Sequence, residues 1–313
     1  MNSLLVESPG LLTTVQDLGR RGYGPIGVSP SGAADAVALR LGNLLVGNDP
    51  GAAALEMTLM GGRFLFPDGA TIALTGADFA PTVNGKPLEM WMTHHIEPGT
   101  RLCLVATRSY ARSYLAVSGG VRVPKFLGSA STHLLSGLGG FQGRALCKGD
   151  VLRVGRSPER RVQRRISQTA LFALKPRKKL RVTDGPQSAS FSEDTKHVFF
   201  HTRFRVSEQS DRLGVRLEGP QLSVNGPADM ITEGVTLGAV QITPSGQLII
   251  LGVDQQTTGG YPKIANVISA DFHRLGQLRP RDEIRFERTP LALARSLWIE
   301  QERLLNSPKL LLA

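Results

Sequence analysis

The 313-residue sequence has only two cysteines and no apolar stretch long enough to cross a membrane. Cys103 and Cys147 make neither a metal-binding spacing nor a disulfide framework. A bilayer span needs about 20 consecutive apolar residues, and the amino-terminal residues lack the basic and apolar regions of a secretory signal. We therefore expect a protein of the reducing cytoplasm that does not contact a membrane.

Common catalytic and metal-binding motifs are also missing. His94 and His95 are adjacent and would point to opposite faces of a strand, and there is no HExxH or paired Cys/His motif for zinc. The serine-hydrolase motif GxSxG is absent. The glycine-rich residues 136–144 lack the Lys-Ser/Thr ending of a P-loop. A flexible turn therefore explains them at least as well as a phosphate-binding loop does. The sequence predicts no metal site in this chain.

Acidic residues are scarce in one segment, which gives the chain its net charge of +11. Residues 153–181 contain eleven Lys or Arg and a single acid, Glu159, and so contribute +10 of the +11. Binding of nucleic acid would be helped by aromatic side chains on which bases stack, and Phe172 is the only aromatic residue in this segment. We predict a solvated basic linker and no nucleic-acid partner; the alternative is weak binding of polyanions at low salt.

Frequent glycines and prolines, 35 and 19 in number, separate many short apolar runs. This is the pattern of a mainly β protein with few helices. The predicted strands include residues 3–7, 71–75, 101–105, 114–117, 151–154, 179–182, 198–201, 240–243, 247–251 and 283–286. The basic segment 156–178 interrupts the pattern, so we place a domain boundary there, between an N-terminal domain, 1–160, and a C-terminal domain, 175–313.

Two helices are predicted. One covers residues 33–46 and has Ser31 as a capping residue. The other follows Thr289 and closes the C-terminal domain, with Pro290 at its first position. Its apolar face would consist of Leu291, Ala294, Trp298 and Leu305.

The most informative segment is 254–263, which directly follows the apolar residues 248–253. The apolar run predicts a buried strand, so a carboxylate, two amides, two hydroxyls, a phenol and an ammonium would meet where that strand ends. Gly259 and Gly260 tolerate positive φ and can turn backbone N–H groups outward, as a cradle for anionic oxygen beside the charge of Lys263. A tight polar turn closed by proline is the alternative, and composition alone does not decide between them.

Two further segments are candidates for function. Residues 13–20, which include Gln16 and Asp17, lead through a glycine-rich stretch to Ser31 and a predicted helix. An irregular polar loop is the alternative interpretation. Arg212 lies next to an acid and just before a glycine, which indicates either a functional cation or a local ion pair.

Five motifs occur in register along the chain: TTVQDLGR at 13–20, SGAAD at 31–35, LTGA at 74–77, YLAVSGG at 114–120 and QQTTGGYPKIA at 255–265. Together they resemble the biotin-dependent carboxyltransferase-like family. This family includes the C subunit of bacterial ATP-dependent 5-oxoprolinase, a kinase-inhibitor antagonist of sporulating bacteria and the carboxyltransferase region of urea carboxylase. Several motifs in the same order are more specific than any one alone.

The resemblance implies two cyclophilin-like β-barrel domains. It also implies an enzyme of three components that opens 5-oxoproline to glutamate with ATP, in which the A subunit works with a tight pair formed by this chain and the B subunit. Together with Mg, ATP would occupy a non-standard site that is shared between the two members of this pair. Placing phosphate on the ring carbonyl opens its carbon to water, and this step needs amides and cations around developing negative charge.

The resemblance also implies a set of site residues. The implied catalytic residues are Lys263, Tyr261 and Asp254. The implied substrate- or nucleotide-binding residues are Gln256, Thr257, Thr258, Gly259, Gly260, Gln16, Asp17, Ser31 and Arg212. Either Asp254 or Asp17 would orient a proton or a metal-bound nucleotide, and the choice between them stays open.

Two other functions are alternatives at this point. A biotin-dependent carboxyltransferase of the urea carboxylase kind would need a biotin-bearing partner, since the sequence has no Met-Lys-Met biotinylation motif. A non-enzymatic regulator would instead antagonise an inhibitor of a histidine kinase. An assay of the purified complex with 5-oxoproline and ATP separates the three.

Overall fold

Segments distant in sequence come together in each of the two units of this protein. The computed structural model describes residues 2–156, 163–224 and 230–312. The first unit comprises residues up to 20, 31–174 and those from 304 onward, and the second comprises 21–30 and 175–303. The predicted domains, 1–160 and 175–313, are consecutive, so they differ from these units at residues 21–30, 161–174 and 304–313.

Two antiparallel sheets form the first unit. In chain order its strands are β1 (Asn2–Ser8), β2 (Leu12–Gln16), β3 (Ala54–Thr58), β4 (Arg63–Phe66), β5 (Ala70–Gly76), β6 (Thr82–Val83), β7 (Lys86–Pro87), β8 (Thr93–Ile96), β9 (Thr100–Cys103), β10 (Arg112–Val117), β11 (Val121–Arg122), β12 (Val151–Val154) and β13 (Arg165–Ile166). One sheet has the order β11-β12-β1-β4-β9-β6-β7 and the other the order β2-β3-β10-β5-β8. Their apolar faces share one core, which includes Phe64 and Phe66 from the first sheet and Leu74 and Leu115 from the second.

A helix, α1 (Ala36–Leu45), packs on the other face of the five-stranded sheet. The cap of this helix is Asp35, whose carboxylate accepts a hydrogen bond from the Ala38 N–H at 2.8 Å, so the prediction that Ser31 caps it is wrong. Ser31 lies too far upstream, in a left-handed conformation with φ of 52°. The hydroxyl of Tyr114 on β10 fixes the start of the helix, because it accepts the Asp35 N–H at 2.8 Å.

A closed barrel forms the second unit. Its strands are β14 (Lys179–Asp184), β15 (Phe204–Val206), β16 (Gly214–Glu218), β17 (Glu233–Gly234), β18 (Ala239–Ile242), β19 (Leu248–Leu251), β20 (Thr258–Gly259), β21 (Lys263–Val267) and β22 (Glu283–Arg288). The barrel order is β14-β21-β18-β19-β16-β15-β22, and it closes through parallel pairing of β14 with β22. The short strands β17 and β20 pair only with each other among the described strands. The mainly β fold with few helices is confirmed.

The remaining elements are α2 (Gln168–Leu174), α3 (Glu193–His201), α4 (Phe272–Gly276), α5 (Leu291–Leu305) and β23 (Leu311–Leu312). The prediction of a strand over residues 198–201 is wrong, because these residues belong to helix α3. Ser192 caps this helix by accepting the Thr195 N–H at 3.1 Å. The ring of Phe199 stacks on that of Phe286 with 4.3 Å between centroids, so the apolar residues serve helix packing instead of strand pairing.

The predicted linker, 156–178, contributes structure to the first unit. Residues 157–162 lie outside the described residues. Beyond them, β13 pairs with β23, and the side chains of Ala170 and Leu174 on α2 are buried in the same core as α1. The described part of the basic segment therefore packs through its apolar residues, while many of its charged side chains face solvent.

Helix α5 buries half of the predicted apolar face. Ala294 and Leu305 are buried as predicted and Leu297 packs beside Ala294, whereas Leu291 is 76% and Trp298 47% exposed, so the prediction is wrong for these two. The buried stripe follows the steps 294, 297 and 301, and Gln301 donates a hydrogen bond to the Ala270 carbonyl at 3.0 Å. In the part of the chain that the structure describes, no helix is both long and apolar enough for a membrane span.

An ion pair before β12 makes the stability of the first unit depend on pH. Arg144 donates to both carboxylate oxygens of Asp150, at 2.7 and 2.8 Å, and the Cys147 N–H donates to the same group at 2.7 Å. The bonds from Arg144 are the main cause that lowers the pKa of Asp150 below its usual 3.8. The ionised form is thus favoured by folding, so its contribution is complete above pH 3.8 and is lost as the pH falls through the lowered pKa.

We accordingly expect Asp150→Asn to lower the melting temperature at neutral pH, and expect the gap between variant and wild type to narrow as the pH falls below the usual carboxylate range. Thermal melts between neutral pH and about pH 3 measure this. A gap that stays constant over that range would contradict the assignment of the pH dependence to Asp150.

Candidate functional site

The outer surface of the barrel carries two buried polar side chains on neighbouring strands. Gln241 lies on β18 between Val240 and Ile242, which both belong to the barrel core. Since side chains alternate along a strand, Gln241 points away from the barrel interior. Its partner on β21 is Lys263, and a shift in register next to this pair puts Ile264 into the core while Lys263 stays outside.

The ladder of β17 and β20 covers this outer surface. Glu233 on β17 pairs with Gly259 on β20. A Cβ atom on Gly259 would lie 2.8 Å from the Gln241 side-chain nitrogen and 3.1 Å from Val235. Neither glycine of the pair at 259–260 has positive φ, so the pair does not use the conformational freedom by which the sequence could turn its N–H groups outward. Gly259 is required because it leaves room for the buried amide.

Lys263 is at the centre of the site. Its side chain is only 3% exposed, and its ammonium lies 2.7 Å from the carboxylate of Glu233, which is 40% exposed. The ammonium also donates to the carbonyl of Tyr261 at 3.3 Å, while the backbone N–H of Lys263 donates to the Gln187 side-chain oxygen at 3.1 Å. The predicted cation is therefore present, with a carboxylate already bound to it.

Glu233 and Gln187 were not among the predicted site residues. The Gln187 amide nitrogen donates to the same carboxylate oxygen of Glu233 that Lys263 binds, at 2.9 Å. The bond from Lys263, followed by that from Gln187, lowers the pKa of Glu233 below its usual 4.5. These two donors form a small carboxylate-binding arrangement that is open to solvent on the side of Glu233.

Gln241 was also missed, and it is the least satisfied polar group of the site. The residue is 1% exposed, and its amide nitrogen has no hydrogen-bond partner among the described residues. Buried polar groups are nearly always hydrogen-bonded. The arrangement therefore offers one cation, one bonded amide and one free amide donor to a ligand.

The other predicted residues of the loop lie around this arrangement. Gln256, Thr258 and Tyr261 are exposed, and the Thr257 carbonyl accepts the Val235 N–H at 3.1 Å. Lys263 is bound to the backbone carbonyl of Tyr261, so this contact does not involve the phenol that the sequence singled out.

Asp254 and Arg212, both predicted as site residues, form a buried ion pair. The guanidinium donates to the two carboxylate oxygens, at 2.8 and 3.0 Å, and the side chains are 4% and 6% exposed. The Asp254 N–H also donates to the Arg212 carbonyl at 3.0 Å. This geometry fixes the start of the loop to the residues that precede β16, and both oxygens of Asp254 are held by the same cation.

Asp17, in the first unit, joins two segments of that unit. Its carboxylate accepts hydrogen bonds from the hydroxyls of Ser129 and Ser131 and from the Ala130 N–H, all at 2.6 Å, and from the Gly19 N–H at 2.8 Å. Four donors on one carboxylate position the loop at 129–131. The structure thus gives Asp17 a clear architectural role.

Gln16 and Ser31 are buried in the first unit as well. The Gln16 amide donates to the Thr14 hydroxyl at 3.0 Å and to the Thr132 carbonyl at 3.1 Å. The hydroxyl of Ser31 and the side-chain oxygen of Gln16 have no hydrogen-bond partner within the described residues. In the described ranges, no group of three or more His, Cys, Asp or Glu side chains is arranged to hold a metal ion.

Comparisons with known proteins agree on one family. Residues 26–288 match the family of the carboxyltransferase domain, subdomain A and B. The chain is 37% identical to the 5-oxoprolinase C subunit of Escherichia coli, over 96% of each chain. It is 35% identical to the 5-oxoprolinase C subunit of Haemophilus influenzae, over 91% of this chain and 90% of that one.

Solved structures extend the likeness to larger proteins. The crystal structure of the K. lactis urea amidolyase matches 97% of this chain with a TM-score of 0.91 and 32% identity, but this chain covers only 20% of that one. The chain therefore spans nearly the whole of the bacterial relatives and one region of the fungal enzyme. The resemblance inferred from the five motifs is confirmed: the chain belongs to the family of carboxyltransferase domains with subdomains A and B.

Proposed function

We propose that this chain is the C subunit of a 5-oxoprolinase, which works with the A and B subunits to convert 5-oxo-L-proline to L-glutamate with hydrolysis of ATP. The observation that carries the proposal is the carboxylate held by Lys263 and Gln187 on the outer face of the barrel. 5-Oxoproline bears a carboxylate, and the two bacterial relatives of nearly equal length have the name of this subunit.

The chemistry explains why such a site is useful. A ring amide is a poor electrophile, and transfer of phosphate from ATP to its oxygen makes the ring carbon open to water. One water attacks this carbon and the C–N bond breaks, which leaves the amine of glutamate and an acyl phosphate. A second water hydrolyses the acyl phosphate to the second carboxylate of glutamate and inorganic phosphate, so that the ATP is spent as ADP and phosphate. Lys263 would hold the existing carboxylate so that the ring carbonyl has a fixed position, which lowers the barrier by orientation.

ATP and its Mg would be bound together with the B subunit. The chain has no P-loop sequence, and its buried Lys263 already has a counter-ion, so we assign the phosphate-binding groups mainly to the partner. Free thiols at Cys103 and Cys147 fit the reducing cytoplasm as the location of the complex.

Carboxyl transfer is the second candidate. The family match and the likeness to the K. lactis urea amidolyase favour it. In that case the barrel site would receive a carboxylated biotin carried by a partner, and Lys263 would bind its carboxylate. The regulatory alternative has no observation of comparable weight.

Reconstitution with the candidate A and B subunits tests the proposal. We expect this chain and the B subunit to elute together in size-exclusion chromatography, and we expect glutamate to form only when all three chains, 5-oxoproline and ATP are present. Glutamate is measured directly, because ATP hydrolysis alone does not prove ring opening. Carboxylation that depends on biotin, without glutamate formation, would replace the proposal with the second candidate.

A further inference from the structure

A buried amide on the barrel surface has a nitrogen without a hydrogen-bond partner in the described part of the chain. Gln241 is held outward by strand alternation between two core residues, under the ladder of β17 and β20. Its amide nitrogen makes no hydrogen bond to any described residue, which lowers stability. An apolar side chain of similar size would avoid that loss, so the polar group points to a ligand.

The surroundings of Gln241 define what that ligand carries. Lys263 is its direct partner across the β18–β21 pair, and opposite residues in antiparallel strands have Cα atoms about 5 Å apart. Gly259 packs directly on the amide, since even a Cβ atom there would lie 2.8 Å from its nitrogen, so a ligand has to reach the amide from the side of Lys263 and Glu233. Glu233 pairs with Gly259 and brings its carboxylate to Lys263, so a carboxylate fits there and the free amide lies beside it.

We infer that Gln241 recognises the ring amide of a cyclic substrate whose carboxylate binds Lys263. The inference rests on the proposed function for the identity of that substrate. In a lactam the N–H and C=O lie on the same side, so they match the oxygen and nitrogen of a glutamine side chain in two parallel hydrogen bonds. In 5-oxoproline the carboxylate is on the carbon next to the ring nitrogen, which places both groups within reach of neighbouring strands.

The carboxylate of Glu233 would move away from Lys263 and Gln187 as the substrate enters. The substrate carboxylate would take over the two donors that Glu233 now uses, Lys263 and Gln187. Glu233 is 40% exposed and lies on a strand of two residues, so its side chain has solvent to move into. Gln241 then supplies the specificity, because any small carboxylate meets Lys263 but only a lactam also pairs with the amide.

Two ligands that differ in the lactam test this assignment. Calorimetry with the full-length chain measures the Kd of 5-oxoproline and of cyclopentanecarboxylate, which keeps the ring and the carboxylate but has no amide. We expect Gln241→Leu to weaken 5-oxoproline binding about tenfold or more, since two hydrogen bonds are lost. We expect the same variant to leave the Kd of cyclopentanecarboxylate unchanged and the melting temperature undiminished. The matched control is Gln209→Leu at an exposed position of the same unit.

Each outcome decides the matter. Equal weakening for both ligands would mean that Gln241 only shapes the site, and unchanged 5-oxoproline binding, or none in the wild-type chain at millimolar ligand, would overturn the inference. The proposed function is judged separately by glutamate formation in the reconstituted complex. If the Gln241→Leu variant forms glutamate at the full rate and binds 5-oxoproline as the wild type does, the proposed function stands and this role of Gln241 is rejected. If the variant selectively loses lactam binding but the wild-type complex makes no glutamate, the role of Gln241 stands and the proposed function is rejected.

Discussion

Replacing Lys263 by methionine is expected to reduce glutamate formation by the reconstituted complex about tenfold to a hundredfold. Methionine keeps the length of the side chain but removes the charge that binds a carboxylate. A charge-assisted hydrogen bond contributes about 1.5–3 kcal/mol, and about 1.4 kcal/mol corresponds to one factor of ten in rate. The loss is measured as the ratio of kcat/KM between wild type and variant, with the rate of ATP-dependent glutamate formation followed over a range of 5-oxoproline concentrations.

The fold should survive this change. Glu233 loses one of its two donors but keeps Gln187 and is partly exposed, so water can solvate it, and the melting temperature should fall only slightly. Lys179→Met is the matched control, since Lys179 belongs to the same barrel and pairs with Glu287 at a solvent-exposed position. Tyr261→Phe should cost less activity than the lysine variant, because Lys263 contacts the Tyr261 carbonyl. Full activity of Lys263→Met would leave the loop with an architectural role only.

Removing the charge of Asp254 is expected to destabilise the protein strongly. Breaking one partner of a buried ion pair costs about 3–5 kcal/mol, because the other charge stays buried without compensation. Asp254→Asn and Arg212→Met should therefore both lower the free energy of unfolding, as measured by chemical denaturation. The double variant Arg212→Met/Asp254→Leu should regain much of the loss, since two apolar side chains of similar size can replace a buried pair.

The same experiment separates architecture from catalysis at this position. If Asp254 takes part in the reaction, the double variant regains stability but makes no glutamate. If the pair only anchors the loop, activity returns together with stability. Glu208→Ala serves as the comparison, because the Glu208–Arg281 pair is exposed on both sides and exposed pairs contribute little. A stable single variant would contradict the expected size of the effect.

The strands were predictable where apolar residues alternate and a turn follows. The hairpin formed by β18 and β19 follows directly from two apolar runs around Pro244 and Gly246. The segment 198–201 misled because a short apolar run fits a strand or a helix. The capping serine at 192 and the acids after it were the signal for α3. In α5, Trp298 is exposed because the helix buries only a narrow stripe.

The site was predictable only where its residues follow each other in the sequence. The loop at 254–263 is conspicuous because polar residues follow a buried strand, and Lys263 stands out within it. Gln241 is a single polar residue between apolar ones, which is the ordinary pattern of a strand with one face in water. The pairing of β17 with β20 covers that face, and this pairing links residues more than 20 positions apart. Glu233 enters the site by the same long-range contact.

The order of segments in the first unit limits how the protein can be dissected. Its core includes Leu305 and Leu310, and β23 at the end of the chain pairs with β13. A fragment that stops after α2 would expose those apolar contacts and leave the edge of β13 open, a surface prone to aggregation. Soluble expression of this unit alone therefore calls for a gene in which a short engineered loop replaces residues 175–303 and joins residues 304–312 to the end of α2.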